Sequence, residues 1–175
     1  MSTLFVDTIN EKTSGNGVQV PGHVVQHKVH DVTTTTTASG TAQTYTDLGG
    51  ASLTFTPKQS GSKLIITMTN HIYIESHGTG WGAATARLMV DGNAQSEKGA
   101  GGSENSYGVG IRDTDGASSP ATTRLMGFDI KEHEYTTTGT SAITIKAQFW
   151  VQADANAISF NKYGRGSITV LEIAQ

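Results

Sequence analysis

The clearest alternation in the chain runs through KLIITMTNHIYI at positions 63 to 74. Leu64, Ile66, Met68, Ile72 and Ile74 share one parity and Lys63, Thr67, Thr69 and His71 the other. That is the period-two pattern of a strand with one buried face. Asn70 falls on the apolar parity, so it either lies near an end of the buried face or has buried partners for its amide. A second long strand is predicted over SAITIKAQFWV at 141 to 151. Ile143, Ile145, Ala147, Phe149 and Val151 lie together, with Thr144, Lys146, Gln148 and Trp150 opposite.

Shorter runs predict further strands at 24 to 32 (Val25, Val29), 51 to 57 (Leu53, Phe55), 84 to 90 (Ala86, Leu88, Val90) and 124 to 135 (Phe128, Ile130). The closing SITVLEIAQ is nearly continuous in apolar residues, with Ile168 and Val170 on one face and Leu171 and Ile173 including the other. Both faces of that last strand call for cover. No stretch carries a helical period. TPKQSGSK, VDGNA and TTTGTS punctuate the runs with turn-forming residues, as hairpins or sheet-crossing loops require. Short β-branched strands joined this way predict an all-β antiparallel sandwich, since a parallel sheet needs helical crossovers. The two strongest strands are far apart in sequence, as a jelly roll permits.

Two segments stand outside this pattern. Residues 1–22 hold a few apolar positions (Leu4, Val6, Ile9, Val18, Val20) and end at Pro21 and Gly22. They read as an arm, leaving 23–175 as the head domain. Residues 92–122 form the longest stretch poor in apolar residues, with a hint of strand at Tyr107, Val109 and Ile111. A loop of that length in a compact domain is functional or disordered.

Composition narrows the partners. Charged residues are 15% of the 175-residue chain, against about 25% in an ordinary soluble protein. The 21 glycines are well above the usual share. The surface is therefore mostly Thr, Ser, Asn, Gln and Gly. A net charge of -3 and no cluster of Lys or Arg with interleaved aromatics predict no nucleic-acid partner. Asp7, Glu11 and Lys12 interrupt the opening where a signal peptide would be apolar, and no run reaches membrane-spanning length, so neither export nor membrane insertion is expected. An uncharged, hydroxyl-rich and glycine-rich surface suits a protein working outside cells. A component of a virus particle, made in the host cytoplasm and released by lysis, reconciles the two.

The order of the landmarks resembles the C-terminal domains of bacteriophage tail fibre and related virion fibre proteins. LFVDTINEKTSGNGVQVPGHVVQ is similar to the stalk motif that leads into such heads. SLTFTPKQSGSKLIITMTNHIYI is similar to their second and third strands with the turn between, ARLMVDG to their Asp-Gly hairpin, and GRGSITVLEIAQ to their closing strand. The resemblance covers most of the chain and fades between 92 and 122. It implies a jelly-roll head, comparable in shape to complement-type heads and tumour necrosis factor, assembled as a homotrimer and joined through its arm to other virion proteins. First and last strands would then lie together near a threefold axis. Tyr73, Leu171 and Ile173, or the residues opposite Leu171 and Ile173, would form the trimer interface. Low charge is in keeping with this, because exposed sheet edges normally carry charged residues unless partners cover them.

The remaining chemistry-bearing residues do not assemble into a catalytic or metal motif. On a strand, His23 and His27 share a face and His30 takes the other, so one chain cannot converge them on an ion; only copies around a threefold could. In KEHEY the carboxylates of Glu132 and Glu134 lie opposite the His133 imidazole. Asp113 and Asp115 lack the later ligands of a calcium loop, and GAGGSENSYGVG lacks the setting of a phosphate loop. There is no nucleophile elbow and no visible carboxylate pair for glycan cleavage. The expectation is a protein without enzymatic activity, cofactor or metal. Trp81 in SHGTGWGAA, with His77, and Tyr107 in SENSYGVG, with Asn105, remain as candidates for contact with a host-surface glycan or protein receptor. Aromatic faces beside polar donors suit saccharides, and they suit packing within a loop or at a subunit contact equally.

Overall fold

Strict alternation folds as alternation requires. In the computed structural model, residues 20–39, 44–76, 82–95, 122–153 and 157–175 are described, and all regular structure among them is β-strand. The strands are β1 (Val24–Val32), β2 (Thr36–Ser39), β3 (Thr46–Phe55), β4 (Lys63–Ser76), β5 (Gly82–Val90), β6 (Asn93–Ala94), β7 (Thr122–Thr136), β8 (Ile143–Ala153), β9 (Ala157–Phe160) and β10 (Gly166–Ile173). They form two antiparallel sheets. In the larger, β4 is central, with β7 on one edge and β10 followed by β9 along the other; β1 pairs outside β10 and β2 outside β9. The smaller runs β3, β8, β5, β6.

β9 and β10 are two halves of one long path beside β4, opposite Ile72–Glu75 and Lys63–Thr69 respectively. β1 and β2 follow the same break one strand further out. Each passage between long strands carries the chain from one sheet to the other, so the expected jelly-roll sandwich is the architecture found. The core lies between the sheets. Leu64, Ile66, Met68 and Ile72 of β4 face Leu53, Phe55, Leu88, Ile145, Ala147 and Val151 of the smaller sheet, and Phe149 meets Phe160 with ring centroids 4.6 Å apart.

β1 spans the expected 24 to 32, with a polar rather than an apolar inward face. Val29, one of the two apolar positions singled out in the sequence, is 52% exposed on the outer surface, while Val32 closes the strand in the core. Gln26, Lys28 and His30, at every second position, reach across to β3 instead. Gln26 Nε2 donates to Thr56 O (2.8 Å), Lys28 Nζ donates to Thr54 O (2.8 Å), and His30 Nε2 lies 2.8 Å from Gly50 O. β1 and β3 are neighbouring edges of the two sheets, and carbonyls left over at an edge require donors. Polar side chains supply them here. β2 and β9 were not visible in the sequence; β2 takes in only Thr36 and Thr37 at the end of the threonine tract at 33 to 37.

The two ends of the sandwich differ. The lower end carries the short turns 56–62, 91–92 and 137–142 and the chain's entry, where Gly22 N donates to Ala174 O and Ala174 N donates to His23 O. The upper end is where β4 leaves at Ser76, β5 begins at Gly82, β8 leaves at Ala153 and β9 begins at Ala157. Residues 1–19 of the expected arm lie outside the described residues.

Candidate functional site

The two outer faces are finished in opposite ways. On the smaller sheet a polar ladder covers the surface: Arg87 donates to Gln148 Oε1 (2.9 and 2.6 Å), Gln148 Nε2 donates to Asp47 Oδ1 (2.8 Å), and Lys146 Nζ donates to Asp47 Oδ2 (2.7 Å). Arg87 also stacks over the Tyr45 ring at 4.0 Å. The hydrogen bond from Lys146, then that from Gln148, hold the Asp47 carboxyl below its ordinary pKa.

On the larger sheet the outward positions are mostly uncharged. Leu171 lies opposite Ile65 on one side and His27 on the other, and Ile173 lies opposite Lys63. Leu171, Ile173 and Ile65 are half-buried within the chain, and Val29 is exposed beside them. Above this apolar band runs a belt of hydroxyls, Thr67, Thr69, Thr169 and Ser167, with Thr69 Oγ1 and Ser167 Oγ 3.0 Å apart. An ion pair borders the band, Lys63 to Glu134 at 3.0 Å. Such a pair, open to water, contributes at most about 1 kcal/mol.

Higher on this face lies an aromatic cluster. Tyr73 is 7% exposed, covered by its own chain: Tyr163 meets it edge-on (4.9 Å, 78°), and Lys162 Nζ stands 4.4 Å from its centroid. Of the three expected interface residues, then, Leu171 and Ile173 lie outward in the apolar band, and Tyr73 lies on the same face higher up. His77, Trp81, Asn105 and Tyr107 lie outside the described residues.

Two features beneath this face escaped the sequence reading. The first is Glu172, 0% exposed and on the inward parity of β10 with Ile168 and Val170. Its carboxylate accepts from the amides of Lys58 and Gln59 (3.0 Å each), the Ser62 hydroxyl (2.7 Å) and Gln26 Nε2 (2.6 Å). Burial alone would push its pKa up; the Lys58 amide, Ser62, Gln26 and the Gln59 amide outweigh that and hold it below the ordinary carboxylate value. A lone acid inside VLEI was the available signal.

The second is the break between β9 and β10. Asn161, at φ 56, donates from N to His71 O (2.8 Å), accepts at Oδ1 from His71 N (3.0 Å), and donates from Nδ2 to Asn70 Oδ1 (3.1 Å). Asn70 thus has the buried partner its place on the apolar parity required, at 1% exposure. In KEHEY, Glu132 takes φ 51 where the pairing with β4 shifts register, and His133 is half-buried, its pKa lowered by burial against the opposing pull of Glu134. Among the described residues no three His, Asp or Glu side chains gather as metal ligands. A shallow groove of about 210 Å³ at the lower end, between Pro57, Asp91, Tyr135 and Thr137, is smaller than small-molecule sites of about 300 Å³ and upward.

No protein-family model matches the chain, and no curated protein matches it. Among solved structures, one of infectious bursal disease virus, Gx strain, is similar over 94% of this chain and 42% of that one, at 13% identity and a TM-score of 0.39. The crystal structure of the T13 IBDV viral particle is similar over 85% and 36%, at 15% identity and a TM-score of 0.23. This chain therefore spans less than half the length of either, and likeness at these TM-scores carries no argument here.

Proposed function

We propose that the chain is a structural subunit of a bacteriophage particle, a fibre or spike whose trimeric head attaches to the host surface. Three copies pack through the lower part of the outer face of the larger sheet, with Leu171 and Ile173 at the contact, while Tyr73, covered by Tyr163, lies above it. The arm joins the head to other virion proteins. His77, Trp81, Asn105 and Tyr107 meet a glycan or protein receptor. Weak contacts repeated in three subunits sum to firm adhesion without chemistry.

One observation carries this reading: the apolar band of Val29, Ile65, Leu171 and Ile173 on the face built from the first and last strands, opposite a face sealed by its own ladder. The entry of the chain at the lower end, away from Ser76 and Gly82, fits an arm below and contacting loops above.

Sedimentation tests it directly. The parent chain is expected to sediment as a trimer, and Leu171→Asp as a folded monomer, because three carboxylates cannot share a dry contact. A parent that stays a single chain at all concentrations overturns the assembly. Incubation with host cells then tests adhesion. Firm docking onto stripped particles without cell binding would instead make the protein a capsid or tail decoration that cements the particle.

A further inference from the structure

The break between β9 and β10 is built to hold a short segment outward. Phe160 lies opposite Ile72 and Ser167 opposite Thr69, so residues 161 to 166 are accommodated beside Asn70 and His71 alone. Asn161 anchors the start in the left-handed region, which a non-glycine residue occupies at a cost. Its carbonyl also accepts from Thr35 Oγ1 (3.3 Å), so the segment is tied to the outer strand pair as well as to β4. Gly164 rests on the His71 ring, where a Cβ would come within 2.9 Å of Nδ1, and Gly166 sits against Asn70 and the Thr69 carbonyl, where a Cβ would approach to 2.5 and 2.6 Å.

This fixed base presents Lys162, Tyr163 and Arg165. Tyr163 is 63% exposed, with its partner Tyr73 meeting it edge to face. Lys162 Nζ stands 5.2 Å from the Tyr163 centroid and 4.4 Å from that of Tyr73. Arg165 is exposed two residues on. Beneath them the buried Nδ1 of His71 has no partner among the described residues. Neither the core nor the sheet pairing uses the tips of Tyr163 and Arg165. A broad ring held in water beside Lys162, with Arg165 exposed two residues on, in a chain of net charge -3, is pre-organised for a ligand that offers an apolar face and a negative charge together.

We propose that the segment Asn161–Arg165 is a contact site for an acidic saccharide. The CH face of a sugar ring stacks on Tyr163, and its carboxylate or sulfate is met by Lys162 and Arg165. The site rests on the host-attachment reading above and adds to it a ligand class and a place. A second copy of the chain is the less fitting occupant, because rotation about an axis would bring the same cations toward one another.

The full chain is to be passed over immobilised uronic-acid, sialylated and sulfated oligosaccharides beside their neutral parents, at low and at high salt. Acidic probes should bind at least about ten-fold better than neutral ones, with the difference shrinking as salt rises. Tyr163→Ala and Arg165→Gln should each weaken binding by about ten-fold, leaving oligomeric state unchanged, and Arg165→Gln should leave thermal melting unchanged as well. Equal binding of acidic and neutral probes, or binding untouched by both substitutions, overturns the site. So does a change of oligomeric state in Tyr163→Ala, which would make the segment a subunit contact. Host cells that bind the parent chain while the whole panel does not would overturn this site and leave the attachment reading standing.

Discussion

Glu172 and Asn70 both place a polar side chain where the alternation of a core strand calls for an apolar one, and the fold treats them differently. Around Glu172 every donor in reach is aimed at the carboxylate, and the result ties β10 to β1 and to the β3–β4 turn. Ser62 carries the tie on to Thr137 beyond β7, with hydroxyls 3.1 Å apart. Around Asn70 the satisfaction is partial: Oδ1 accepts from Asn161, while Nδ2 has no partner among the described residues. The lesson is that buried polarity serves two ends here. A fully paired group closes the lower end, where the chain enters. A partly paired one holds open a strand and sets an exposed segment in place, trading stability for geometry.

Removing the anchor at each end should separate the two roles. Glu172→Ala leaves the Lys58 and Gln59 amides without their acceptor and takes one partner each from Ser62 and Gln26, and is expected to destabilise the fold by about 3 kcal/mol, read as a fall in Tm of roughly 10 °C. Glu172→Gln keeps the shape and one acceptor, and should lose less. If the two substitutions cost the same, charge is what the site needs. At the other end, Asn161→Ala should cost about 2 kcal/mol through lost hydrogen bonds and a strained φ. Asn161→Gly removes the strain but not the missing bonds, so it should recover about 1 kcal/mol. Equal losses for Ala and Gly would show that the hydrogen bonds alone fix the break.

Acid gives the smallest and most selective test. The lowered pKa of Glu172 means that the folded state binds its proton less readily than the unfolded chain, so its contribution is complete above the ordinary value of 4.5 and is lost as pH falls through the folded value. His133 acts earlier. Burial lowers its pKa from 6.5, so the unfolded chain gains the proton first and stability begins to decline as pH falls below that value. Denaturation midpoints measured across this range should show a shallow fall below 6.5 and a second fall below 4.5. The second should be largely absent in Glu172→Gln.

β4 and β8 were legible because each has one face in the core along its whole described length, so period two survives in the sequence. β1 was legible as a strand at 24 to 32 but not in its facing, because at a sheet edge the inward positions serve carbonyls rather than the core, and Gln26, Lys28 and His30 read as surface. β2 and β9 are too short to show a period. Glu172 was visible as an acid on an apolar parity, though its partners come from turns that are distant in sequence. Asn161 gave no such sign: NKYGRG reads as an ordinary turn, and only pairing with β4 on both sides turns it into a held break.

The joining of His23 to Ala174, followed by the eight matched pairs from Val24 to Val32 against Ile173 to Gly166, sets how the head bears load. Tension applied along β1 at His23 runs perpendicular to its hydrogen bonds. The seam must slide as a whole, sharing the force over every rung, rather than peel one rung at a time. A head loaded along β1 is thus gripped in its mechanically toughest direction.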